Sequence, residues 1–233
     1  EPVLALLNAE SMIHLGQADK AIQLLNSLLN GIDISRDWLC AGKALSWRSA
    51  AFRLTGHFDE ATDDIKKSIH ILKQNNGPAD VLGGAHRRLG AIHIEQGRLA
   101  EAEKCIKRSL KLFISDFDIG QIAAAYNDLG IVYKRLGDLP RAAAHYAQAR
   151  QYWEKAKNFG ALARTLNNTG IIYRRQGQYE MALNILSEGF ENARMTGHQR
   201  TEAWILINIG DVKRDQSLYE EALSAYSRAL ELA

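Results

Sequence analysis

The chain has 233 residues, 46% hydrophobic and 24% charged, a balance that excludes a disordered or fibrous protein and allows a sizeable core. Lys and Arg number 29 against 27 for Asp and Glu, so the formal net charge of +2 supplies no overall field to hold nucleic acid or an anionic membrane, and charge has to be argued locally. Cys40 and Cys105 stand far apart outside any CxxC pattern, which indicates neither a disulfide framework nor a zinc site and fits a reducing, cytoplasmic setting. No apolar run reaches the ~20 residues of a membrane span.

Apolar residues recur at three- and four-residue spacing in twelve stretches, and only three prolines interrupt the chain, so the predicted elements are all helices. In chain order they cover 2–15, 18–30, 37–55, 58–74, 79–96, 99–114, 119–136, 139–155, 159–176, 179–195, 199–216 and 219–233. The chain opens Glu1-Pro2-Val3 already in helical pattern, as expected of a fragment of a longer chain.

The helices fall into a repeat. Gly90, Gly130, Gly170 and Gly210 are 40 residues apart. Gly97, Gly137 and Gly177 follow the first three by seven, Ser217 takes the fourth place, and Gly16 and Gly56 continue that series upstream. Ala102, Ala142, Ala182 and Ala222 stand twelve residues past the first glycine, with Ala21 and Ala61 in the equivalent upstream places. The units predicted are 1–36, 37–77, 78–117, 118–157, 158–197 and 198–233.

Each unit reads as two helices joined by a tight turn. In the fourth, Ile122, Tyr126, Leu129 and Tyr133 form one apolar stripe, Gly137-Asp138 interrupts, and Ala142, Tyr146 and Ala149 form the next. Gly137 suits the left-handed residue that ends a helix, Asp138 the N-cap of its successor, and Pro140 a first turn where no amide donor is needed. Gly130 and Ala142 are predicted to let the two helices approach closely while the tyrosines fill the space around them.

The pattern Tyr126, Leu129-Gly130, Tyr133, Gly137, Ala142, Tyr146 and Ala149 resembles a tetratricopeptide repeat, and the six units cover essentially the whole chain. The 40-residue period exceeds the usual 34. It is similar to the repeats of kinesin light chains and of the sensor arm of large ATP-dependent LuxR-type bacterial regulators. The resemblance departs at the ends, where Ala9 and Ser49 replace the signature glycine, Lys213 the tyrosine and Ser217 the turn glycine.

That resemblance implies an all-α, right-handed superhelical solenoid of about six stacked helix-turn-helix hairpins, whose first helices line a concave wall. It places Arg87, Ile94 and Glu95; Asn127, Lys134 and Arg135; Asn167, Arg174 and Arg175; and Ile207, Arg214 and Asp215 on that wall, with Arg164 on the same face. Helices 79–96, 119–136 and 159–176 together carry seven basic residues against three acidic ones, so the wall is predicted to be locally basic. Asn127 and Asn167 are expected to hold the backbone of an extended peptide, as matching asparagines do in kinesin-light-chain-like repeats. Arg87, Lys134, Arg135, Arg164, Arg174 and Arg175 are expected to pair with acidic side chains, a terminal carboxylate or a phosphate. The competing reading is that these cations complement the helix dipole and keep the surface soluble.

Other motifs carry less. His86 and His93 occupy the places of Tyr126 and Tyr133 and read as packing residues, with no metal site expected. Asn167-Asn168-Thr169 matches a glycosylation pattern inside a predicted helix and is set aside. Cys105 shares a stripe with Ala102 and Ile106 and reads as a buried small hydrophobe. No GxxxxGK[ST], GxGxxG, HExxH or GxSxG occurs, so no enzyme and no cofactor are expected.

The function expected is a non-catalytic protein- or peptide-binding scaffold, with an acidic peptide as the favoured partner. The alternative is the effector- or protein-sensing arm of a bacterial signal-dependent transcriptional regulator, which could take a small effector. Direct binding of nucleic acid is disfavoured by the near-neutral charge and the lack of interleaved aromatics on the inner positions.

Overall fold

The computed structural model describes residues 2–232, which form twelve α-helices and no strand. Their contacts divide the chain into two units, Glu1–Asp118 and Ile119–Ala233. The first holds α1 (Pro2–His14), α2 (Ala18–Gly31), α3 (Trp38–Leu54), α4 (Phe58–Gln74), α5 (Ala79–Glu95) and α6 (Leu99–Ser115). The second holds α7 (Ile119–Arg135), α8 (Leu139–Lys155), α9 (Phe159–Arg175), α10 (Tyr179–Met195), α11 (Gln199–Asp215) and α12 (Tyr219–Glu231). Each of the twelve predicted helices is present; α4, α8 and α10 keep their predicted bounds and the others differ by one or two residues at one or both ends.

Within each unit, helices pair as hairpins and the first helix of each hairpin also packs beside that of its neighbour, as α7, α9 and α11 do. The repeated glycine allows the close approach inside a hairpin. A Cβ on Gly170 would lie 2.5 Å from Leu186 Cγ, and one on Gly90 2.6 Å from Ile106 Cγ1. Gly130 and Gly210 meet Tyr146 and Tyr226 in the same way. At Ser49, where the glycine is missing, the side chain is fully buried and its Oγ donates to Ala61 O at 2.7 Å. The hydroxyl turns the close contact into a hydrogen bond and satisfies itself in doing so.

Except between α2 and α3, two kinds of turn join the helices, and both use left-handed backbone. Gly137 has φ +80°, and Asp138 N donates to Tyr133 O at 3.0 Å, closing the six-residue ring that satisfies the last carbonyls of α7. Asp138 then caps α8 by accepting from Arg141 N at 3.0 Å, as its position before Pro140 predicted. The turns after α4, α6, α8 and α10 have the same form, with Asn76, Phe117 and Lys157 at φ +50°, +57° and +53° and Gly197 at +68°, whereas α2 ends on extended Ile32 and reaches α3 without a left-handed residue. Gly197 and Asn76 are residue types that favour this backbone, whereas Phe117 and Lys157 gave no sign of it in the sequence.

Candidate functional site

The second unit brings most of the expected residues onto one row of helices, α7, α9 and α11. Small and branched apolar side chains on the other faces of these helices, among them Ala123, Leu129, Ala163, Leu166, Ile172, Ile205 and Val212, are buried and fix which face remains open. What remains is crossed by polar contacts from one helix to the next.

Asn127 on α7 is half-buried and accepts from Thr165 Oγ1 on α9 at 3.2 Å. Asn167 on α9 is half-buried and accepts from Asn208 Nδ2 on α11 at 2.8 Å. Lys134 Nζ donates to Asn168 Oδ1 at 2.8 Å. Burial, with Arg175 and Arg135 nearby, brings the Lys134 ammonium down to about 8 from its ordinary 10.5. Arg174 is drawn toward α11, its Nη1 standing 2.6 Å from Asp211 Oδ2 and 3.7 Å from Asp215 Oδ2. Arg214 shares both carboxylates at 3.2 Å, and Tyr226 OH donates to Asp211 Oδ1 at 2.9 Å. Arg164 and Arg175 are exposed and make no ion pair among the described residues. Arg135 is exposed but engaged with another group.

The row is therefore less uniformly basic than its side-chain count. Arg174 is neutralised by its own chain, and the positive charge without a carboxylate partner is at Arg164, Arg175 and Lys134, whose partner Asn168 is neutral. Asp211 stands one residue after Gly210, where Ile131 and Ile171 follow their glycines, and a count limited to 79–96, 119–136 and 159–176 passed over it.

In the first unit Arg87 is half-buried and engaged. Glu95 is in an ion pair with Arg53. Ile94, expected on the open wall, is only 6% exposed and belongs to the core, where an isoleucine gains more by leaving water. Arg88 lies over Trp47 with its guanidinium carbon 3.8 Å from the ring centroid, and Nη1 reaches Ser46 Oγ at 3.2 Å. Desolvation first, and Arg87 second, lower it to about 9.

His86 and His93 are buried. Desolvation, with Lys73 and Arg108 adding to it, lowers His86 to about 4, so it is a neutral packing residue at physiological pH. No group of three or more His, Cys, Asp or Glu suited to a metal occurs among the described residues. Cys105 is buried in the core cluster that holds Ile65, Ile69, Leu89 and Ile92, and burial raises its thiol above the ordinary range. Thr169 Oγ1 donates to Thr165 O inside α9. No helix is long and apolar enough to cross a membrane among the described residues.

The sequence reading missed Trp204. It stands six residues before Gly210, as Arg164 stands six before Gly170, and the same rule would have found it. Trp204 is 45% and Ile207 43% exposed, both large for apolar side chains, and Arg200 lies over the Trp204 ring at 5.0 Å. Trp204, Ile207 and Arg200 line an open pocket of about 510 Å³ together with Tyr226 and Leu230 of α12. An aromatic surface is thus present on α11 beside the polar one on α9.

Three overlapping stretches, residues 82–155, 121–195 and 161–233, match the tetratricopeptide repeat family. No curated protein sequence matches the chain. Among solved structures, BtubC (BKLC) from P. vanneervenii is 18% identical and superposes with a TM-score of 0.75, covering 96% of this chain and 90% of that one. A Rap protein complexed with competence and sporulation factor is 13% identical with a TM-score of 0.80, over 98% of this chain and 73% of that one. NprR in complex with its cognate peptide NprX is 15% identical with a TM-score of 0.74, over 100% and 67%. At these identities the likeness establishes a fold, an all-α repeat solenoid.

Proposed function

Since the chain belongs to the tetratricopeptide repeat family, we propose that it is a non-catalytic scaffold whose α7, α9 and α11 row holds an extended, acidic peptide segment. The observation that carries the reading is Asn167 standing half-buried beside Arg164, with Asn127 in the same register one helix away. Amide side chains on adjacent helices match the repeated peptide groups of an extended chain, and Arg164 and Arg175 supply the charge for acidic side chains between them. That NprR binds a cognate peptide on the same fold supports the choice of a peptide over a folded partner. Unpaired thiols at Cys40 and Cys105 support a cytoplasmic setting.

A calorimetric screen of acidic peptides and small anionic effectors on the parent and on Arg164→Glu/Arg175→Glu tests the reading. The expected result is binding that weakens about tenfold or more in the variant and more mildly as salt rises. Ligands that bind both proteins equally would show that the two arginines are a solvated face. A small effector among the hits, with no peptide, would move the assignment to the sensing arm of a regulator.

A further inference from the structure

Polarity is the property of the α9–α11 seam that the peptide reading leaves unused. Asn208 has two amide hydrogens and both are committed. One goes to Trp204 O, a backbone carbonyl that can only accept, at 3.0 Å, and the other to Asn167 Oδ1 at 2.8 Å. The carbonyl of Trp204 therefore fixes which end of the Asn208 carboxamide is which, and Asn208 in turn fixes Asn167. With its oxygen occupied, Asn167 has its NH2 group left, and no acceptor for that group occurs among the described residues. Thr165 Oγ1 lies 3.2 Å from Asn127 Oδ1 on the neighbouring seam and 3.2 Å from Ala161 O as well, so its single hydrogen does not fix the sense of Asn127 as Asn208 fixes that of Asn167. Around them Arg164 and Arg175 have no acceptor capacity at all.

We infer that Asn208 is a positioning residue which locks Asn167 to present donors only, so that the row reads a ligand through its acceptors: backbone carbonyls flanked by carboxylates. The inference rests on the peptide reading for its ligand but not for the lock itself. It excludes recognition of a peptide N–H by Asn167, and it assigns a role to a residue that touches no ligand. An unlocked asparagine could turn its amide either way and serve donors and acceptors alike.

Asn208→Asp tests it by reversing the seam. An aspartate at 208 can only accept, so Asn167 turns to donate to it and shows the groove its carbonyl instead. The probe is the acidic peptide that binds the parent most tightly in the screen, blocked at both ends, with folding checked by circular dichroism. The expected result is a loss of about tenfold or more in affinity in a folded variant that persists at high salt, where the charge of the new aspartate is screened and the cost of meeting a carbonyl with a carbonyl remains; a loss that vanishes with salt would overturn the inference. Parent-like affinity would overturn the inference, because a residue that only holds the helices together would be replaced without effect on the ligand. Where Asn208→Asp does not fold, Asn167→Asp reverses the same group from the other side, since Asn208 can still donate to it.

Hydrogen exchange of the Asn167 side-chain amide, followed by nuclear magnetic resonance without any ligand, supplies the independent arm. It is expected to be as fast as a free amide in the parent and slowed in Asn208→Asp. A protected amide in the parent would overturn the lock. No peptide hit together with a fast-exchanging parent amide would remove the peptide reading and leave the lock standing.

Discussion

Arg174 and Asp211, 37 residues apart in sequence and on neighbouring helices, stand 2.6 Å apart with about four fifths of each side chain out of water. Arg175, the next residue, is exposed and makes no such pair. Two adjacent arginines thus do different work, one joining α9 to α11 and the other facing the solvent.

Reversal of the two charges is expected to separate them. Arg174→Glu leaves Asp211 and Asp215 facing a third carboxylate and is expected to cost about 2–4 kcal/mol of stability. Arg175→Glu stays within about 0.5 kcal/mol, as a surface change does. Thermal melts of the two single variants check this, and equal melting temperatures would refute the division.

Filling the glycine contact is the second expectation. Gly170→Leu puts its side chain where Leu186 already lies, and Gly130→Leu meets Tyr146, so each is expected to lose at least about 1–3 kcal/mol. Lys157→Ala, at an exposed turn, is the matched control and leaves stability unchanged, because alanine bears the same left-handed strain as lysine.

The turns give a prediction of opposite sign. Ser217 has φ +65° where Gly97, Gly137 and Gly177 have φ near +75°. Ser217→Gly relieves strain at no cost in contacts and is expected to raise stability by about 1 kcal/mol, and Phe117→Gly by a similar amount. Denaturant midpoints measured on both variants are the check, and a fall in either would show that the turn side chain makes a contact worth more than the strain.

His86 makes stability depend on pH. Its folded value of about 4 lies below the ordinary 6.5, so between those values the unfolded chain binds more protons than the folded one. The contribution is complete above pH 6.5, is lost progressively as pH falls toward 4, and amounts to about 3 kcal/mol. His86→Gln has no such titration, so the difference in stability between parent and variant is expected to flatten at pH above 6.5 and to change steeply between 6 and 4. A difference independent of pH would place His86 in contact with water.

The helices were legible because three signals agreed at each position: the apolar period, the paired small residues and the turn glycines. The predicted ends overran at 96, 136, 176 and 216 because those residues continue the helical pattern but belong to the six-residue rings that close each hairpin. The open face was legible only in part. Asn127, Asn167, Lys134 and Arg164 were found by their offset from the glycine; Trp204 shares the offset of Arg164 and was passed over, while Asn208, two before Gly210, and Asp211, one after it, lie at offsets that the pattern does not mark. What decides their importance is a contact across helices, Asn208 to Asn167 and Asp211 to Arg174, and such a contact has no signature within forty residues of sequence.

Lys134, with its ammonium brought down to about 8 by burial and by Arg175, is set apart chemically from the surface lysines. Near pH 8 about half of these side chains carry a free lone pair, whereas a lysine at its ordinary value is well under one per cent deprotonated at that pH. Lys134 is half-buried rather than sealed, so mild acylating or reductive-methylation reagents used there are expected to act on it ahead of more exposed amines. The row of helices that the ligand is expected to occupy thus carries its own selective labelling point, at which a bound molecule would betray itself by slowing the reaction.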